Sequence, residues 1–168
     1  LKAPFVNPTV YHLLPEKYLE DGWVPVGRLD KDSCGLLILV KEGHLVSLLQ
    51  KPGFCEKVYE VTVRGPVEPH HLVALHQGVE TALGVMKVHS AEILGNEGQL
   101  SYLRVVLNEG KNRQIRRIFN ALRDSRLNKP LKVMALKRVG FGNVGLDLEE
   151  GKWRFLGIEE TERLLRPI

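Results

Sequence analysis

The chain has only two cysteines, Cys34 and Cys55, and they form no metal-type pair. Nothing in their placement asks for a disulfide, so they read as reduced thiols of a cytoplasmic protein. No apolar run approaches the roughly 18 residues that a membrane span needs, and no signal-peptide pattern opens the chain. A membrane partner is therefore not expected. The histidines His12, His44, His70, His71, His76 and His89 lack metal-ligand spacing, so no metal site is expected. GxSxG and P-loop signatures are missing, as are internal repeats and low-complexity tracts. One glycine-rich run, Gly140-Phe141-Gly142-Asn143-Val144-Gly145, matches GxGxxG after an expected strand. A dinucleotide site needs a helix next, and the short Leu146–Gly151 stretch ending in glycine does not supply one. These glycines read as tight turns.

What is present fits one domain. The chain has 168 residues, 43% of them hydrophobic, enough for a substantial core. Residues Leu1 to Trp23 carry Pro4, Pro8 and Pro15 and read as an irregular lead-in with a short turn at Pro15–Leu19. The stretch Gly27-Arg28-Leu29-Asp30-Lys31-Asp32-Ser33-Cys34-Gly35 is a polar loop, and it feeds an apolar run, Leu36–Val40, expected to be a buried strand. Asp30 would then sit at a sheet rim, able to meet a substrate. Arg28 and Lys31 flank it, and cationic neighbours keep a carboxylate ionised, which suits a nucleophile better than a general acid. A surface turn with ordinary ion pairs is the plainer explanation of the same residues.

Further along, Gly43–Gln50 and Pro69–Gln77 read as helices, and Lys57–Arg64 as a strand in which Lys57, Tyr59, Val61 and Val63 share a face. Val85–Ile93 and Ser101–Leu107 read as strands joined through Gly95–Gly98. Val133–Val139 and Trp153–Leu156 are further strands, and Glu159–Leu165 a terminal helix. Strands and helices mix without strict alternation, so the expected fold is α+β, with a mixed, largely antiparallel central sheet flanked by helices.

The segment Asn108-Glu109-Gly110-Lys111-Asn112-Arg113-Gln114-Ile115-Arg116-Arg117-Ile118-Phe119 reads as a loop and then a helix from about Asn112 to Leu122. Ile115, Ile118, Phe119 and Leu122 form its apolar stripe, with Arg113 and Arg117 roughly opposite. Arg116 lies at the flank, about 110° from the stripe's centre, where it can reach inward. The helix begins cationic, which its own dipole opposes and an anionic partner would relieve.

Acidic residues are scarce where bases gather. From Lys111 to Arg138 the only acid is Asp124, and the acids collect later, from Asp147 to Glu162. A basic block beside a neutral body is the footprint of phosphate binding, although a merely solvated face looks the same. Arg113, Arg116 and Arg117 favour RNA over other anions, because guanidinium groups bind phosphate bidentately and stack on bases.

Four motifs in order carry a resemblance. Gly27-Arg28-Leu29-Asp30 with Gly35-Leu36-Leu37, Lys57-Val58-Tyr59, Glu109 through Arg117, and Leu136-Lys137-Arg138 with Gly142 resemble the RsuA type of ribosomal RNA pseudouridine synthases, over about Val24 to Leu156. The resemblance implies an isomerase that converts a specific uridine of ribosomal RNA to pseudouridine, with no cofactor and no metal. It implies Asp30 as the catalytic nucleophile, Tyr59 as a residue stacking on the target base, and Arg116 as an arginine paired with the aspartate. Lys57, Arg113, Arg117 and Arg138 are the candidate RNA contacts. Ser33 stands where the family usually has threonine. The stretch from Phe119 to Leu136 is longer than the family's usual one, and the family's opening segment is barely recognisable in Leu1–Val6. Residues 1–168 are expected to form one catalytic domain without the small N-terminal RNA-binding domain of many members, and a monomer. A non-catalytic RNA-binding or ribosome-assembly module on the same fold, and the same chemistry on transfer RNA, remain the competing readings.

Overall fold

The computed structural model describes residues 9–166. Leu1–Val6, Pro4 and Pro8, on which part of the lead-in reading rests, lie outside them. The sheet is built around β4 (Lys57–Arg64), rich in β-branched residues and paired antiparallel on both sides. One neighbour is β8 (Leu100–Leu107), which continues to β7 (Ser90–Glu97). The other is β9 (Lys132–Phe141), whose far edge carries a hairpin to β10 (Val144–Gly145) and a parallel bridge to β2 (Cys34–Gly35). The fold is thus α+β on a mixed, largely antiparallel sheet. The glycine-rich run forms the tight β9–β10 turn, with Gly142 at φ 59°.

Residues opposite each other in register share a face. Lys57 faces Phe141, Tyr59 faces Arg138, Val61 faces Leu136 and Val63 faces Val133. This face carries α3 (Pro69–Gln77) and α4 (Gln114–Asn120). Val61, Val63, Leu103 and Val105 close a core with Leu75, Ile115, Ile118 and Phe119. A second core joins Val26 and Ile38 to Leu49 of α2 (Gly43–Gln50), Phe141, and Leu164 of α5 (Ile158–Leu164).

Three expected strands differ. Leu36–Val40 is not one strand: the chain pairs with β9 at β2, then leaves it, and β3 (Leu39–Val40) pairs antiparallel with β1 (Val24–Pro25). The switch turns on Gly35, at φ 116°, where a β-carbon would lie 2.2 Å from the Arg138 carbonyl oxygen. Val85–Ile93 divides: β6 (Gly84–Met86) pairs with β5 (Val79–Thr81) in its own hairpin, and β7 starts at Ser90. Trp153–Leu156 forms no strand with another described residue. Trp153 and Phe155 instead pack against Tyr18 of α1 (Glu16–Glu20), with centroids 5.1 and 5.9 Å away, so ring contacts replace ladder hydrogen bonds. Arg154, between them, forks onto Glu160 at 2.7 and 2.8 Å and holds that carboxyl down at about 2. No helix among the described residues is long and apolar enough to cross a membrane.

Candidate active site

Asp30 opens a tight turn that the Ser33 N–H closes on the Asp30 carbonyl at 2.8 Å. That turn brings the carboxylates of Asp30 and Asp32 to the same arginine. Arg113 Nη1 lies 3.5 Å from Asp30 Oδ2, and Arg28 Nη2 lies 3.4 Å from Asp30 Oδ1. Asp30 keeps 17% of its side chain exposed, so it is held by two cations and still reachable. Asp32 receives the stronger grip, a fork from Arg113 Nη1 and Nη2 at 3.2 and 3.1 Å. That hydrogen-bonded guanidinium holds the Asp32 carboxyl below the usual aspartate range against the opposing cost of burial, and Arg116 adds to the lowering. Because the folded pKa is depressed, the clamp contributes fully above about pH 4 and is lost as the pH falls below it.

Arg113 occupies this place because it is not in the helix. It adopts a left-handed backbone, φ 48°, as the residue before α4, so the helix begins at Gln114 rather than Asn112. A left-handed arginine costs about 1 kcal/mol, and such strain is retained where a side chain must be aimed. This corrects the reading of Arg113 as a solvent-facing helix residue. It also corrects the pairing of Arg116 with Asp30. Arg116 does reach inward, but its Nη2 donates to the Asp32 carbonyl at 2.7 Å and to Ser33 Oγ at 3.3 Å, and its Nη1 to the Val133 carbonyl at 3.4 Å. Among the described residues it ion-pairs with Asp32, Nε to Oδ1 at 3.5 Å. Arg116 thus ties the Asp30–Ser33 turn to β9, and Arg113 carries the charge to Asp30.

Tyr59 sits half-buried on the same sheet face, in register with Arg138, which is in turn in register with Gly35. Two strand spacings put the Tyr59 and Gly35 backbones about 10 Å apart. Lys57 and Arg138, both candidate RNA contacts, are buried, at 6% and 5% exposure. Both lie over the Phe141 ring, at 5.5 and 5.3 Å from its centroid. Arg138 Nε donates to the Leu36 carbonyl at 2.8 Å, while its buried Nη2 has no hydrogen-bond partner among the described residues. Burial pushes the Lys57 ammonium down from its ordinary range, and Arg138 adds to that against the opposing pulls of Cys55 and Glu109. Two buried cations in no ion pair among the described residues are costly. Lys57→Met is therefore expected to raise the stability by about 1 kcal/mol, read as a higher urea midpoint, and at the same time to weaken RNA affinity. Arg117 folds back on the preceding loop, donating to the Asn112 carbonyl and Oδ1 at 3.1 and 3.0 Å.

Two residues of the site had escaped the sequence reading. Asp32 is one; its signal was the second carboxylate at i+2 within a turn. Gln114 is the other. It is 3% exposed and holds the loop before α4, accepting from the Lys111 N–H at 3.0 Å and donating to the Lys87 carbonyl at 2.9 Å. A wide, mainly apolar groove of about 1370 Å³ also borders Asp30, but it runs on the side of Leu36 and Trp153, and none of Tyr59, Arg113 or Arg116 lines it. Chemistry at a carboxylate is governed by the charges that face it, so the arginine side of the loop defines the site.

This sheet and its arginine-braced carboxylate turn belong to a chain that is similar to proteins described as RNA pseudouridylate synthase. The family model of that description matches residues 5–121, and the chain belongs to this family. It is 34% identical over 164 residues to the ribosomal large subunit pseudouridine synthase B of Salmonella typhimurium and of Escherichia coli K12, covering 96% of this chain and 54% of theirs. The chain therefore spans about half the length of these curated relatives. A crystal structure of a pseudouridylate synthase superposes with TM-score 0.76 at 31% identity, over 94% of this chain and 65% of that one. An H/ACA ribonucleoprotein structure bound to a substrate RNA containing 2'-deoxyuridine matches at TM-score 0.58 and 20% identity, over 81% of this chain and 44% of that one, a likeness of fold alone.

Proposed function

We propose that this chain isomerises a uridine of ribosomal RNA to pseudouridine, with Asp30 as the nucleophile. The observation that carries this reading is an accessible carboxylate between two guanidinium groups. The reaction breaks the bond from ribose C1' to N1 and forms one from C1' to C5; the C5 proton is lost and N1 gains one, so nothing is consumed. Attack at the ribose and attack at the ring both need a carboxylate oxygen held in place, which the contacts to Arg28 and Arg113 supply. Tyr59 offers a ring against which an everted base can stack. The uridine must leave its stack, costing roughly a few kcal/mol that phosphate contacts can offset. Arg113, Arg117, Lys57 and Arg138 are the candidate cations for that task. No cofactor and no metal takes part. The names of the relatives favour ribosomal over transfer RNA, and the paired, accessible Asp30 favours catalysis over a binding module.

The test is incubation with unmodified ribosomal and transfer RNA transcripts, with pseudouridine read by carbodiimide-stop mapping. A stop at one ribosomal uridine is expected; a stop confined to transfer RNA would move the substrate, and none in either would remove the activity. Arg113→Lys is expected to lower kcat about 100-fold with little change in KM. A single ammonium cannot fork onto Asp32 and still touch Asp30.

A further inference from the structure

The site uses Arg113, Arg116 and Arg117, yet the basic block continues past α4 into a loop that none of that chemistry employs. Arg123, Arg126 and Lys129 lie in it and Lys132 just follows, all exposed. None is in an ion pair among the described residues. The loop begins just beyond the segment that the family model matches. A solvated loop has no reason to be rigid, but this one is built. Asp124 is 5% exposed, and its Oδ1 accepts from the N–H groups of Arg126 at 2.8 Å and Leu127 at 3.4 Å. Its backbone bonds the Lys129 carbonyl and the Asn128 N–H, both at 2.8 Å. Asn128 takes the left-handed conformation, φ 51°, that closes the turn. Arg123 bridges to Pro130, and its Nη1 donates to the Asn128 carbonyl at 3.1 Å.

The loop is also moored to α3. Buried His71 accepts the Glu68 N–H on Nδ1 at 2.9 Å, so its Nε2 carries the proton and donates to the Arg123 carbonyl at 2.7 Å. Ser125 Oγ donates to Glu68 Oε2 at 3.1 Å. His71, Glu68 and His70 bring ligand atoms within 4.8 Å of one another. Both His71 nitrogens are engaged, so this cluster serves as a mooring.

We infer that the Arg123–Leu131 loop is a preformed second anchor for RNA, gripping the phosphates of a base-paired segment that flanks the target uridine. This rests on the reading of the chain as an RNA-modifying enzyme. The seven residues of α4 separate the loop from Arg113 by about 10 Å, more than one nucleotide step along a strand. The anchor therefore meets a different part of the RNA from the everted base. It contains no aromatic side chain on which single-stranded bases would stack. A rigid set of cations suits the fixed phosphate positions of a duplex, which is recognised by shape, and pays no ordering cost on binding.

The experiment compares Arg126→Ala/Lys129→Ala with wild type in binding a long-stemmed hairpin RNA and a single-stranded RNA carrying the same loop sequence, across a salt series. Both residues are exposed, so folding is not at risk; Lys41→Ala/Lys51→Ala, exposed elsewhere, matches the loss of charge. The double loop variant is expected to bind the hairpin about ten-fold or more weakly at low salt, with the salt slope reduced by about 1.5 to 2. Its affinity for the single strand, and both affinities of the control, are expected to stay at wild-type values. An unchanged hairpin slope, or equal losses on both RNAs, would overturn the anchor. Binding is read without turnover. A reduced slope in a chain that makes no pseudouridine would uphold the anchor and sink the proposed activity, and normal turnover with an unchanged slope would do the reverse.

Discussion

Asp30→Asn is expected to lower pseudouridine formation by roughly 10⁴-fold or more while RNA affinity stays within a few-fold of wild type. The amide keeps the shape of the side chain and can still accept from Arg28 and Arg113, so the turn should survive. What it loses is the negative oxygen proposed to form the covalent bond. Asp32→Asn is the informative companion. Asp32 holds the fork from Arg113 and is half exposed, so its loss misaligns a guanidinium rather than removing a reactant. Single-turnover assays on a transcript carrying the mapped uridine should rank the two variants clearly, Asp30→Asn far below Asp32→Asn. Equal losses would mean that the turn's geometry, not the Asp30 carboxylate, supports the reaction. Full activity in Asp30→Asn would end the assignment of the nucleophile.

Gly35→Ala is expected to cost about 3 kcal/mol or more, read as a lower urea midpoint at unchanged m-value. Two effects act together. At φ 116° an L side chain is strained whatever space it has, and here the β-carbon would overlap the Arg138 backbone, 2.2 Å from its oxygen and 2.5 Å from its nitrogen. Neither atom can move without parting β2 from β9, whose bridge joins Gly35 to Arg138. Activity should fall further than stability alone explains, because Asp30 and Asp32 lie on the turn that enters this bridge. Gly43→Ala is the control: it begins α2, has no positive φ, and its β-carbon would meet nothing within 4 Å, so it should be neutral or slightly stabilising. If Gly35→Ala were as stable as wild type, the parallel bridge would not be what seats the turn.

Elements whose signal is local were legible in the residues. Lys57–Arg64 announces itself through Val58, Tyr59, Val61 and Val63, and Gly43–Gln50 and Pro69–Gln77 end at glycine or proline breaks; all three match the structure residue for residue. The errors came where a distant partner decides the outcome. An apolar run such as Leu36–Val40 favours extension but does not name its neighbour; here only Leu39–Val40 joins a strand, with β1, while the pairing with β9 takes Cys34–Gly35 just before it. Trp153–Leu156 has the composition of a strand, yet rings from α1 compete for its side chains.

The site divides in the same way. Composition and motif order were sufficient to single out Asp30, to gather the arginines beyond Glu109, and to point to the family, because those features are written in neighbouring residues. Which arginine meets which carboxylate was settled only in three dimensions. A helical wheel assigns Arg113 to the outside, but one left-handed residue ahead of α4 swings its guanidinium across to a turn more than eighty positions earlier in the chain. Burial had the same origin. Lys57 and Arg138 are polar in any reading of the chain, and only the packing of β4 and β9 around Phe141 withdraws them from water. Covalent neighbours set local conformation, whereas ion pairing and desolvation depend on atoms that folding alone brings within a few ångströms.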